Sequence, residues 1–226
     1  MYRNTFLSVM FLACCFNGSL CAQSDAQIYE RTCDAKTYPF SDPSPVATPN
    51  NSYYPYFRFD GFSMQAQEKQ WKMVVLENDY VKLTVTPEIG GKIWGAIDKV
   101  NNKEFVYTNG VVKFRDVAMR GPWTSGGIEF NFGIIGHAPT CSTPIDYLTK
   151  KNVDGSVSCH IFSYEWITRT VWNVEINLPK DKAYFTTHTT WFNQSSIDQP
   201  YYQWMNAGYA TKTGTRFYYP GTYSIG

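Results

Sequence analysis

The chain has 226 residues, of which 43% are hydrophobic and 17% charged, with 20 Lys and Arg against 19 Asp and Glu. This near-neutral balance, without a basic run, excludes a surface built for nucleic acid or anionic membrane. No Cys-x-x-Cys pair, His-Glu-x-x-His helix, phosphate-binding loop, Gly-x-Ser-x-Gly elbow or carboxylate cluster with metal spacing occurs, so neither metal nor cofactor is expected.

The N-terminus carries Arg3, an apolar run from Phe6 to Phe16, and small residues ending at Ala22. That is the layout of a secretory signal peptide over residues 1–22, cleaved between Ala22 and Gln23. The run is too short to span a bilayer as a helix, so no integral membrane segment is expected. A secreted or periplasmic location follows. The alternative is a lipid anchor on Cys14 or Cys21, although neither follows the usual Leu-x-small triplet well. Removing residues 1–22 takes Arg3 and leaves equal numbers of basic and acidic side chains. The cysteines that remain are Cys33, Cys141 and Cys159. In an oxidising compartment Cys141 and Cys159 are the expected disulfide, with isolated buried thiols as the alternative.

Residues 23–70 are rich in proline and show no sustained period, which predicts an extended segment lying across the domain. From Trp71 the pattern turns to strands, and residues 71–226 read as one β-sandwich domain. "WKMVVLE", "ND" and "YVKLTVTP" form a hairpin signal, with Val81, Leu83 and Val85 on one face. "GGKIWGAIDK", a turn at "NNK" and "EFVY" follow. Asp154-Gly155 marks another hairpin turn. "TVWNVEINL" sends Trp172, Val174, Ile176 and Leu178 inward and Asn173, Glu175 and Asn177 outward. "AYFTTHTTWFN" and "YYQWMNAGYAT" continue the alternation, and no stretch has a helical period. His160 and His188 fall within strands, as packed or surface residues. The chain is predicted to be all-β.

Aromatic residues make up 17% of the chain, with 7 Trp and 17 Tyr. They fill sandwich cores, and they also stack on the apolar faces of sugar rings. Position separates the two roles. Between residues 119 and 140, "MRGPWTSGGIEFNFGIIGHAPT", five glycines are interleaved with Arg120, Trp123, Glu129 and His137. Trp123 in this Gly/Pro-rich loop is the better stacking platform, and Trp204, within a strand, is core by default. Glu129 and Asn131 alternate away from Ile128, Phe130 and Phe132, onto a polar face where they either bind hydroxyls or are solvated. His137 either exchanges protons with a substrate or is fixed by backbone. Arg120 either clamps a hydroxyl pair or carboxylate, or forms a salt bridge with Asp116 or Glu129. At least three of Arg120, Trp123, Glu129 and His137 are expected on one concave surface, with Trp204 or Asn206 on its far wall.

"LENDYVKLTVTPEIGGKIWGAIDKVNNKEFVY" resembles the opening of the galactose mutarotase-like superfamily, with its Gly-Gly reversal between strands. Arg120, Gly126–Gly133 and Gly136-His137 follow the order of a segment of hexose-phosphate mutarotases, with Glu129 in place of a proline and Ala138 after the histidine. "NQSSIDQPYYQWMNAG" resembles the later segment that leads to the superfamily's catalytic histidine, but offers Trp204, Met205 and Asn206 there. The chain also resembles an uncharacterised domain of exported bacterial proteins, often followed by tetratricopeptide repeats and found near polysaccharide-degradation genes.

The resemblance implies an antiparallel β-supersandwich, incomplete at the C-terminus, with a repeat domain missing from this chain. It implies a carbohydrate ligand in a cleft, with His137 as acid and a base carboxylate expected beyond Gly226. From the residues themselves, Glu129 is added as a catalytic candidate and Arg120, Trp123, Asn131, Trp204 and Asn206 as binding residues. Two functions fit: an enzyme acting on the anomeric centre or a glycosidic bond, the latter normally needing two carboxylates, and a non-catalytic binding module.

Overall fold

The structure, a computed structural model, describes residues 24–47, 54–117, 121–133, 136–209, 211, 214–218 and 221–222. The expected signal peptide and Arg120 lie outside the described residues. Among the described residues there are fourteen strands: β1 (Gln27–Tyr38), β2 (Gln67–Glu77), β3 (Val81–Thr86), β4 (Lys92–Asp98), β5 (Lys103–Val106), β6 (Val112–Lys113), β7 (Arg115–Asp116), β8 (Pro122–Trp123), β9 (Ile128–Phe132), β10 (Asp146–Lys151), β11 (Val157–Glu165), β12 (Thr170–Leu178), β13 (Thr186–Phe192) and β14 (Gln203–Ala207). There is no helix among the described residues, so none is long and apolar enough to cross a membrane.

The larger sheet runs β14-β9-β4-β3-β2-β1-β6, with β5 also on β4; β1 meets β6 in parallel and the other pairings are antiparallel. The second sheet is the antiparallel meander β10-β11-β12-β13. Alternation explains how they meet. Val74, Leu76, Leu83, Val85, Phe130 and Phe132 from the first sheet pack on Val157, Ile161, Trp172, Val174, Ile176 and Leu178 from the second, forming one core. Phe132 stacks on Trp172 across the interface, with ring centroids 4.5 Å apart and planes at 12°. The fold is an all-β sandwich.

The described residues among 24–70 are more regular than their composition suggests. Twelve of them form β1, which pairs with β2 along nearly its whole length, from Gln27↔Glu77 to Thr37↔Gln67. Most of its side chains are exposed, so it carries no apolar stripe for a pattern search to find. Ladder hydrogen bonds hold it.

Gly90 and Gly91 make the reversal into β4 with φ of 64° and 67°. A Cβ at Gly90 would strike the Cys141 carbonyl, and one at Gly91 the Ile145 and Ile161 side chains. Cys141 and Cys159 are separate buried thiols, which corrects the expected disulfide. Cys159 sits in the main core, whereas Cys141 lies against the Pro122 carbonyl and the Ser142 hydroxyl. Burial pushes both thiols up to about 12.

The outer face of the larger sheet carries a second apolar cluster of Trp71, Met73, Ile89, Trp94, Val112 and Phe114. At the β4-β9-β14 end of that face, the side chains become polar.

Candidate functional site

The sequence of β9, "IEFNF", sends Ile128, Phe130 and Phe132 into the core and Glu129 and Asn131 to the opposite face. Register then assembles a row. Glu129 pairs with Asn206 and Asn131 with Trp204 on β14. On the other side, the Ile93–Ile128 pairing sets Lys92 beside Glu129. Directly opposed residues share a face of a sheet, so Lys92, Glu129 and Asn206 line up across three strands.

This polar face is covered. Glu129 is 2% exposed and Asn131 0%, so neither is solvated as an exposed strand face would be. The cover is the chain on either side of β9, residues 121–127 and 136–142. Gly126 and Gly127 bring the first segment close, with φ of 77° and 66°. A Cβ at Gly127 would press on the Ile93 carbonyl and the Lys92 stem.

Glu129 is the hub. Its Oε1 lies 2.6 Å from His137 Nδ1 and accepts from Asn131 Nδ2 at 2.8 Å. Asn131 Oδ1 in turn accepts the Ala138 backbone N–H at 2.8 Å, so one asparagine fixes both the carboxylate and the histidine loop. Lys92 Nζ stands 3.7 Å from Glu129 Oε2, an ion pair too long to be a hydrogen bond. It donates instead to the Thr124 carbonyl at 2.5 Å and the Thr124 hydroxyl at 3.1 Å. Glu129 Oε2 is buried and has no hydrogen-bond partner among the described residues. The rings of Trp123 and Trp204 approach His137 at 5.9 Å and 4.8 Å, and Trp204 Nε1 donates to the Gly136 carbonyl at 3.2 Å.

Lys92 and Glu129 are among the most enclosed charges in the protein, at 1% and 3% side-chain exposure. Burial lowers the pKa of Lys92 from its ordinary value, and the Glu129 charge opposes that shift. Because each ion has left water, each depends on the other. The His137 side chain is 21% exposed. With Nδ1 held by the carboxylate, its Nε2 is the nitrogen left to exchange a proton or hydrogen-bond a ligand. Glu129 borders a cavity of about 210 Å³ whose other walls are Lys92, Trp123, Asn206 and the chain at Gly126–Gly127 and Ala207–Gly208; His137 and Trp204 are not among its walls. The cavity is smaller than a site for a drug-sized molecule, roughly 300–1,000 Å³, and of a scale for one small polar ring.

Six of the seven residues singled out from the sequence as catalytic or binding therefore meet: Trp123, Glu129, Asn131, His137, Trp204 and Asn206. Arg120 lies outside the described residues. Asn206, on the strand next to β9, walls the cavity with Trp123 and Glu129, whereas His137 and Trp204 meet Glu129 and Asn131 outside its lining. Lys92 and Thr124 were not foreseen. A lysine in a strand ordinarily reads as solvated. The signal that marks this one is its position directly after Gly90-Gly91, in phase with the buried Trp94.

Residues 48–226 match the model of a family described as Domain of unknown function (DUF5107). Among solved structures the chain is similar to a TPR-domain containing protein from Parabacteroides distasonis ATCC 8503, with 27% identity and a TM-score of 0.74. The match covers 82% of this chain and 32% of that one, so this chain spans about a third of that protein's length.

Proposed function

The chain belongs to the DUF5107 family, and we propose that its domain is carbohydrate-active, holding a sugar in the cleft over β9 and acting at its anomeric centre. The observation that carries this reading is the Glu129–His137 pair at 2.6 Å, with the rings of Trp123 and Trp204 close to the imidazole and with Glu129 and Trp123 among the walls of a small cavity. A carboxylate that fixes Nδ1 of an imidazole makes Nε2 a proton carrier suited to a ring oxygen or anomeric hydroxyl. Trp123 and Trp204 offer π-faces and edges to the C–H groups of the ring. The resemblance to galactose mutarotase-like proteins and the expected signal peptide belong to the same reading, as do a repeat-bearing neighbour and polysaccharide utilisation outside the cytoplasm.

A second reading is a non-catalytic binding module. It is favoured by the state of Glu129, which Asn131, His137 and Lys92 hold in place, so that it orients other groups. Polarimetry separates the two. In the catalytic reading, wild-type protein accelerates anomer exchange of a free hexose and His137→Ala does not; in the module reading, binding occurs without exchange. Both require that Trp123→Ala weaken saccharide binding by roughly 1–3 kcal/mol. Unchanged binding by that variant, or no binding across a panel of free and methylated hexoses, would overturn the carbohydrate reading.

A further inference from the structure

Glu129 Oε2 is a buried carboxylate oxygen without a hydrogen bond among the described residues, and Glu129 is one of the residues that wall a cavity. Leaving such an atom unsatisfied is costly, and native proteins rarely do so without a partner that comes and goes. Lys92 shows the complementary condition. Its ammonium has three protons; Thr124 takes two, and the third has no acceptor within hydrogen-bond distance among the described residues. Nζ and Oε2 stand 3.7 Å apart, and Lys92 and Glu129 wall the same cavity, together with Asn206 on the neighbouring strand.

We infer that this cavity is a clamp for a vicinal hydroxyl pair of a neutral sugar. One hydroxyl accepts from Lys92 Nζ and donates to Glu129 Oε2; the next meets the Asn206 amide, which both donates and accepts. A hydroxyl suits the gap because it is donor and acceptor at once, whereas a carboxylate or sulfate can only accept there. The charges make the same selection. Lys92 and Glu129 already balance each other, so an anionic ligand would bring a third charge into a buried site beside the Glu129 carboxylate. The inference rests on the carbohydrate reading and narrows it to neutral saccharides with adjacent free hydroxyls.

The test uses the wild-type protein and changes the ligand, so it does not depend on a buried variant folding. Calorimetric titration with methyl glucoside, galactoside and mannoside identifies a neutral binder. Its monodeoxy analogues, monofluoro analogues and uronate counterpart are then titrated. One deoxy position should lose roughly 10- to 100-fold in affinity. Fluorine at that position should fail to restore it, since fluorine cannot donate to Oε2. The uronate should bind at least about tenfold more weakly. Glu129→Gln and Lys92→Met, where circular dichroism shows them folded, should each erase the preference for that hydroxyl. Deoxy analogues that all bind within about twofold of the parent, or a uronate that binds as well, would overturn the clamp while leaving the carbohydrate reading standing. No binding by any neutral glycoside would overturn both.

Discussion

β9 and β12 are written in the same alternating code and end in different environments. In β12, "TVWNVEINL", every second residue is buried in the core and those between are partly exposed. In β9, "IEFNF", all five residues are buried, the polar ones as completely as the apolar ones. Alternation identifies which face joins the core, and it is silent on what covers the other face. Over β12 that other face meets solvent; over β9 it meets the loops that carry Trp123 and His137. The polar groups of β9 have therefore lost water and must find partners within the protein or in a ligand.

Matched substitutions sharpen the contrast. Glu129→Ala removes the counter-charge of a buried lysine and should destabilise the fold by about 3–5 kcal/mol. Glu175→Ala on β12, where the carboxylate is 31% exposed, should cost about 1 kcal/mol. Urea denaturation of the two variants measures the difference; equal costs would mean that the β9 face is solvated like that of β12. At the next position the effect is smaller. Asn131→Ala strands the Ala138 N–H and one contact of Glu129, and should cost about 1–3 kcal/mol, whereas Asn173→Ala should stay within about 0.5 kcal/mol.

The thiols report on the cover itself. Burial raises Cys141 and Cys159 to about 12, so both stay protonated and unreactive toward a thiol reagent at pH 8, while partly exposed Cys33 reacts. Cys141 lies in the covering loop and Cys159 in the centre of a strand pairing, so under mild denaturant Cys141 should label first. Labelling of both at one rate would show that the cover does not open separately from the core. A pH dependence follows with a definite sign. Both thiols have folded pKa values above the ordinary thiol value of 9.0, so the stability tied to their neutral forms is fully present below that value. It is lost as pH rises toward about 12.

The sandwich was legible because β3 and β12 alternate and the turns carry Gly-Gly and Asp-Gly. β1 was not, since a strand held by main-chain pairing with exposed, charged side chains leaves no periodic trace. Most of the site was legible as residue types that a purely structural corner would not need. Lys92 was missed because its partner Glu129 lies 37 positions away in sequence, and only the β4–β9 pairing brings them together. The Cys141–Cys159 pairing failed for a related reason: proximity in sequence does not set two thiols in one layer.

The central claim is that the covered face of β9 receives a sugar and the open face of β12 does not. Nitrogen–proton correlation spectra of side-chain signals, recorded as a neutral methyl hexoside is titrated, test it most directly. The account predicts that the Trp123 and Trp204 indole signals and the Asn131 and Asn206 amide signals shift together and saturate, while those of Trp172, Asn173 and Asn177 stay fixed. Shifts confined to the β12 residues, or none at the β9 face at saturating sugar, would contradict it.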